Sequence, residues 1–381
     1  MSLSLKQIAQ HPTPYYYYDM SLLRQTLATI KEAISPTPNY HVHYAVKANA
    51  NPLLTSEIAR QGFGADCVSG GEVQACLDAG FAPQDIVFAG VGKADWEIAL
   101  GLDNDIFCFN VESMPELEVI NELAAERNKT ARVAFRINPN IDAHTHEKIT
   151  TGLNENKFGL AMEDMLPAIQ RANTLNNVEY IGLHFHIGSQ VLNPDFFTPL
   201  CHRINELQVQ LEAEGIATHN INVGGGLGID YENPNEHPIP DFEGYFSIFR
   251  THLKLRPHQH LHFELGRSIV GQCGSLITKV LYMKQGHEKK FLITDAGFTE
   301  LIRPALYDAK HFIENLSATT AETTVYDVVG PICESSDVFD KGVRLPLSQR
   351  GDILALRSAG AYGEVMASTY NCRSLVKGYT E

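Results

Sequence analysis

His41-Val42-His43-Tyr44-Ala45-Val46-Lys47-Ala48-Asn49-Ala50-Asn51-Pro52 is the stretch that sets the reading of this chain. Apolar and polar positions alternate through Val42, Tyr44 and Val46, the period of a half-buried strand, and Pro52 opens a helical pattern immediately beyond. Lys47 is therefore expected at the C-terminal end of a strand. A lysine there is either a solvated surface residue or an amine held half-buried, where desolvation lowers its pKa and frees it as a nucleophile toward a carbonyl. One lysine does not decide between them.

Working outward, the same strand-then-helix unit recurs. Strands are expected at 42–47, 64–68, 86–89, 106–110, 133–138, 180–186, 221–224 and 261–264. Helical patterns fall between them at 52–61, 71–78, 94–101, 115–127, 163–172, 196–214 and 242–255, and an amphipathic helix at 21–34 places Leu23, Leu27, Ile30 and Ile34 on one face. Short apolar strands separated by helices, over the roughly 250 residues such a unit needs, predict a (β/α)8 TIM-type barrel of α/β class. A doubly wound open sheet is the alternative. Barrel enzymes place their chemistry at the C-terminal ends of the strands. Lys47, Asp66, Asn110, Arg136, His186, Gly224 and Glu264 all fall at or close to such an end.

Past Glu264 the rhythm changes. Segments 276–283, 291–294, 325–329 and 353–358 alternate like strands, and only 303–316 reads as helical. A second, β-rich domain over 266–381 is expected, joined by residues 1–20 through the aromatic strand Pro14-Tyr15-Tyr16-Tyr17-Tyr18, with the barrel over 21–265.

The 381 residues, 44% hydrophobic and 20% charged, describe a soluble globular chain. A formal net charge of -15 argues against nucleic acid or an anionic membrane as partner. No apolar run reaches the length of a membrane span, and residues 1–10 lack a signal-peptide pattern, so the cytoplasm is the expected compartment. Seven cysteines without a CxxC pair give neither a disulfide framework nor a zinc signature and read mostly as small buried hydrophobes. His144-Thr145-His146 is too short a cluster to hold a metal, and none is expected.

Gly224-Gly225-Gly226-Leu227-Gly228 follows the seventh strand, where bare amides can cradle a phosphate; the plainer reading is a flexible turn. His186-Ile187-Gly188-Ser189-Gln190 ends the sixth, offering an imidazole to stack on a flat ring and a hydroxyl to reach a phosphate, against the alternative of a satisfied core histidine. Glu264 brings a carboxylate to the eighth strand, and Arg267 beside it suits a phosphate, a substrate carboxylate or a structural ion pair. An activated lysine, a phosphate loop, a stacking ring and a carboxylate together describe a site for pyridoxal 5'-phosphate (PLP), whose protonated pyridine acts as an electron sink.

Five segments carry a more specific likeness: Tyr44-Ala45-Val46-Lys47-Ala48-Asn49, Arg136-Ile137-Asn138-Pro139, the run 151–159 (TGLNENKFG), His184-Phe185-His186-Ile187-Gly188-Ser189-Gln190, and Gly330-Pro331-Ile332-Cys333-Glu334-Ser335-Ser336-Asp337. Over nearly its whole length the chain resembles the diaminopimelate decarboxylases, of the alanine-racemase-like (fold type III) PLP enzymes. The resemblance implies that Lys47 holds PLP, His186 stacks on it and Glu264 pairs with its nitrogen. Asp66, Ser189, Gly225, Gly226 and Tyr362 complete the implied cofactor site. It further implies that Arg267, Arg303 and Tyr307, with Tyr362, hold the substrate's unreacted carboxylate, that Glu334 meets the distal ammonium, and that Cys333 returns a proton to Cα. The family completes its site across a homodimer, so Cys333 would serve the partner subunit. Leu265 and Ser336 stand where the family usually has proline and glycine. The implied reaction is decarboxylation of meso-2,6-diaminopimelate to L-lysine. Rivals are a decarboxylase of ornithine or arginine on the same fold, or a PLP-binding protein without turnover.

Overall fold

The structure, a computed structural model, describes residues 11–141 and 157–380. The cluster His144-Thr145-His146 and most of the TGLNENKFG run lie outside the described residues. Strand β1 (Tyr15–Tyr18) and helix α1 (Met20–Ile34) come first. There follow β2 (Tyr40–Ala45), α2 (Pro52–Arg60), β3 (Gly64–Cys67), α3 (Gly70–Ala79), β4 (Ile86–Phe88), α4 (Asp95–Asp103), β5 (Cys108–Val111), α5 (Met114–Glu126) and β6 (Ala131–Arg136). Next are α6 (Met165–Ala172), β7 (Val178–His184), α7 (Thr198–Ala213), β8 (Asn220–Asn222), α8 (Phe242–His252) and β9 (His260–Leu265).

Strands β2 to β9 close into a barrel in chain order, each parallel to its neighbours, with β9 returning beside β2 in the register Val42↔Phe263 and His43↔Glu264. The alternation of strand and helix therefore predicts the architecture correctly, and the open sheet is excluded. Local chemistry sets the element ends. Asn51 caps α2 by accepting from the Leu53 amide, with Pro52 in its first turn. Ser69 and Ser113 cap α3 and α5 in the same way. At its C-terminus α3 stops at Gly80, whose φ of 92° is the left-handed conformation that glycine adopts without a Cβ penalty.

Outside the barrel wall, Phe246 and Phe249 of α8 meet Phe263 of β9 edge to face at 4.9 and 5.1 Å. All three rings are buried. Truncating Phe263 to alanine should cost about 3–5 kcal/mol of stability, as for other core aromatics. At the N-terminal ends of β2 and β9 the side chains are instead imidazoles. His41 Nε2 lies 2.8 Å from His260 Nδ1, and His43 Nε2 lies 2.9 Å from His262 Nδ1.

The second unit comprises the described residues 11–25, the segment Ile229–Pro240 and residues 267–380. Its elements are α9 (Arg267–Val270), β10 (Gly274–Gln285), β11 (Lys290–Thr294), α10 (Arg303–Tyr307), β12 (Ile313–Asn315), β13 (Thr323–Val329), β14 (Val338–Pro346), β15 (Ile353–Leu356) and β16 (Gly378–Thr380). The sheet runs β12-β15-β10-β11-β13-β14, and β1 pairs antiparallel with β10 and parallel with β16. The aromatic strand thus joins the β-rich unit, with Tyr15, Tyr16 and Tyr18 fully buried there. Segment 229–240 is tied to this unit by Gln272, whose amide donates to the carbonyls of Asp230 and His237.

One expectation is corrected here. The helix expected over 303–316 is a short one, α10, followed by strand β12. Asp308 takes a φ of 52°, which turns the chain out of the helix, and Ile313 then pairs with Leu356 of β15. Among the described residues no helix is long and apolar enough to cross a membrane, and no group of histidine, cysteine and acidic side chains can hold a metal.

Candidate active site

In the barrel unit the predicted residues gather at the C-terminal ends of the strands. Lys47 sits not in β2 itself but in the single helical turn Val46–Ala48 that follows it. That turn is braced by the Tyr44 hydroxyl, which donates to the Asn49 carbonyl at 2.7 Å. Lys47 Nζ, half-exposed, is 3.7 Å from Oδ2 of Asp66, whose side chain is fully buried on β3. Neither Asp66 oxygen accepts a hydrogen bond from a described residue. Burial, reinforced by the charge of Glu264, pushes the Asp66 carboxyl well above the usual carboxylate range against the pull of Lys47.

Glu264, near the end of β9, is in the opposite condition. Its Oε1 accepts from Asn222 at 2.7 Å and Asn110 at 3.2 Å, and its Oε2 accepts from His184 Nε2 at 3.1 Å. Burial alone would raise this carboxyl. The hydrogen bond and electrostatic pull of His184, with the charge of Lys47 behind it, outweigh burial and hold it well below the usual range. Asp66 and Glu264 are two buried carboxyls with their titrations driven apart by their donors.

The loops after β7 and β8 run side by side. Val191 donates to the Gly226 carbonyl at 2.9 Å, and Gly228 donates back to Val191 at 2.9 Å. Between them the Gly225 amide donates to His186 Nδ1 at 3.3 Å. That bond requires an unprotonated Nδ1, and burial together with the charge of Arg136 pushes the His186 pKa well below its ordinary value, so the ring is neutral. The glycines here are obligatory: a Cβ on Gly225 would collide with the Glu264 carbonyl oxygen, and one on Gly224 would sit 2.7 Å from His186 Nδ1. Ser189 lies in the first of these loops and Gly226 in the second.

In the β-rich unit, Arg267 opens α9 and Arg303 opens α10, and both are buried. Each donates through one terminal nitrogen to the same oxygen, the hydroxyl of Tyr231, at 2.7 Å. The Arg267 guanidinium also lies 4.9 Å from the ring centroid of Tyr362, which is held at a φ of 56°. Tyr307 closes α10 and is half-buried. Cys333 and Glu334 are exposed. Their loop is pinned by Asp337, which accepts from the amides of Phe298 and Ile332 at 2.7 Å each, while Tyr370 donates to Glu334 at 2.7 Å. The other exposed cysteine is Cys372, and the remaining five are buried.

Residues 21–271 match the pyridoxal-binding domain of the pyridoxal-dependent decarboxylases. The diaminopimelate decarboxylase of Bacteroides thetaiotaomicron is 64% identical to this chain, over 97% of its length and 95% of the relative's. The chain belongs to the diaminopimelate decarboxylases. The crystal structure of the Helicobacter pylori diaminopimelate decarboxylase complexed with L-lysine superposes with a TM-score of 0.93 at 41% identity, covering 99% of this chain and 93% of that one. The M. jannaschii diaminopimelate decarboxylase in complex with L-lysine does so with a TM-score of 0.91 at 36% identity, covering 99% and 88%.

For a diaminopimelate decarboxylase chain, sequence reasoning had omitted four residues with evident work: His184 and Asn222, which hold Glu264, and Tyr231 and His311, which hold Arg303. His184 carried a readable signal, since it stands two residues before His186 and the side chains of a strand alternate between faces. Tyr231 and His311 carried none, because their partners lie 72 and 8 residues away in the chain and meet them only in the fold.

Proposed function

We propose that this chain is a PLP-dependent carboxy-lyase that converts meso-2,6-diaminopimelate to L-lysine and CO2, the last step of lysine biosynthesis, in the cytoplasm. The observation that carries the substrate assignment is Arg303. Its guanidinium is buried, and among the described residues its hydrogen-bond partners are a phenol oxygen and an imidazole, with no carboxylate paired to it. A buried cation without a countercharge is costly, and a carboxylate ligand removes the cost. Diaminopimelate keeps a second carboxylate after the first leaves; ornithine and arginine have none to offer.

The barrel residues fit PLP. The glycine run packs so closely that a Cβ there would collide with its neighbours, and the Asp66 oxygens have no donor among the described residues. When bound, PLP supplies the electron sink that takes up the bonding pair as CO2 departs. Lys47 would hold the cofactor, with Ser189, Gly225, Gly226 and Tyr362 around the phosphate. Glu264, kept anionic by three donors, would hold a proton on the pyridine nitrogen. His186, kept neutral, offers an uncharged ring face. Arg267, Arg303, Tyr307 and Tyr362 would orient the unreacted carboxylate and Glu334 the distal ammonium. Cys333 would deliver the proton to Cα. Exposure of Cys333 and Glu334 in the single chain supports a homodimer in which they serve the partner subunit's site.

The test is CO2 release by the purified protein with PLP on meso-diaminopimelate, ornithine and arginine. Turnover of diaminopimelate with little of the other two is expected. Preferential turnover of ornithine or arginine overturns the assignment, and no turnover of any leaves a binding protein.

A further inference from the structure

Arg303 is held in an unusual manner. Acidic side chains are the common partners of buried arginines. Here the Tyr231 oxygen accepts from both guanidiniums at 2.7 Å, and the Tyr231 ring lies 4.8 Å from the Arg303 guanidinium carbon. The second partner of Arg303 is His311 Nε2, 3.3 Å from the same terminal nitrogen. The protonation of this imidazole is fixed by its other side. Nδ1 is 2.9 Å from the Arg357 carbonyl, which can only accept, so Nδ1 carries the hydrogen and Nε2 presents a lone pair to Arg303. Burial, with the charge of Arg303 adding to it, lowers the His311 pKa to about 3, so the ring stays an uncharged acceptor throughout the neutral range.

We propose that Tyr231 and His311 are positioning residues that set carboxylate specificity: they aim the Arg303 guanidinium without neutralising it. An aspartate or glutamate in either place would fix the arginine equally well and spend its charge. Uncharged acceptors fix the geometry and leave the full positive charge for the ligand. The idea rests on the reading above that Arg303 receives the unreacted carboxylate.

L-lysine keeps that carboxylate and cadaverine lacks it, so their equilibrium affinities for the holoenzyme, by calorimetry, isolate the contact without turnover. Tyr231→Phe keeps the ring and removes the oxygen, and His311→Leu removes the lone pair. Each should weaken lysine by roughly ten- to a hundredfold, the worth of a hydrogen bond to a charged group, and leave cadaverine within about threefold. Each should raise KM for diaminopimelate with little change in kcat, and His311→Gln, which restores an acceptor oxygen, should recover most of the lysine affinity. Lysine affinity unchanged in Tyr231→Phe, or cadaverine weakened as much as lysine, overturns the proposal. Should His311→Leu not fold, the Tyr231→Phe arm decides. Arg303→Ala separates the two levels. If it leaves lysine affinity intact, the substrate reading fails; if it weakens lysine while Tyr231→Phe and His311→Leu do not, only the positioning role fails.

Discussion

Lys47 and Asp66 form the most informative pair at the scale of single residues. The amine is half-exposed with a buried carboxyl 3.7 Å away, which supports the proposal that Lys47 would hold the cofactor. Borohydride reduction of the purified protein followed by peptide mapping should label the peptide that contains Lys47; a label on another lysine would sink the assignment. Asp66 makes a pH prediction whose sign follows from linkage. Its folded-state pKa is raised above the unfolded value of about 3.9, so the cofactor-free fold loses stability as pH climbs from there toward the raised value. Asp66→Asn does not titrate. Its melting temperature should gain on the parent's as pH rises from 4 to 8, whereas a gap independent of pH would mean that the carboxyl is not raised. Lys47, Asp66 and Glu264 were readable in the sequence because a strand end followed by a helix start is a local pattern. Tyr231 and His311 were not, because nothing local distinguishes a tyrosine that will receive two arginines from one that fills a core.

Single elements show where pattern reading works and where it stops. Each of the eight barrel strands was expected within a few residues of its place, since a strand buried on both faces reads as a short apolar run. In the β-rich unit β14 went unseen: Asp340, Lys341 and Gly342 interrupt it, and its burial is sparse, as befits the strand at the end of its sheet. Strand β16 has three half-buried residues and exists through its pairing with β1. The N-terminal ends of β2 and β9 carry their own prediction. Burial, together with the neighbouring His260 and His43, lowers the His41 pKa from 6.5 to about 4, and burial also lowers those of His43 and His262. A histidine depressed in the fold stabilises it fully above its unfolded pKa and withdraws that support as pH falls through the folded one. The barrel should therefore lose stability between pH 6.5 and about 4. His41→Gln should lose fewer degrees of melting temperature across that window than the parent; an equal loss would place the acid sensitivity elsewhere.

On the scale of the whole molecule, the proposed homodimer supplies a complementation test. Lys47→Ala and Cys333→Ala proteins should each be nearly inactive. If each site takes its lysine from one subunit and its cysteine from the other, a mixed dimer collects both lesions in one site and leaves the second intact, so an equilibrated equal mixture should recover roughly a quarter of wild-type activity. A mixture that stays dead after demonstrated subunit exchange would refute sharing.

The pairing of β1 with β16 has a consequence in time. Tyr17 is matched to Tyr379, so a strand made among the first residues of the sheet waits for one made almost at the end. At synthesis rates of ~5–20 residues per second, β1 is on the ribosome's exit side for on the order of 20–70 s before its parallel neighbour exists. Its antiparallel neighbour β10 arrives earlier, but only after every barrel strand has been made. Through that interval four consecutive tyrosines, three of them destined to be fully buried, are exposed on an unpaired strand. Until β10 emerges to pair with it, β1 stays an unpaired aromatic edge, so shielding of this strand while the barrel is being synthesised favours correct folding.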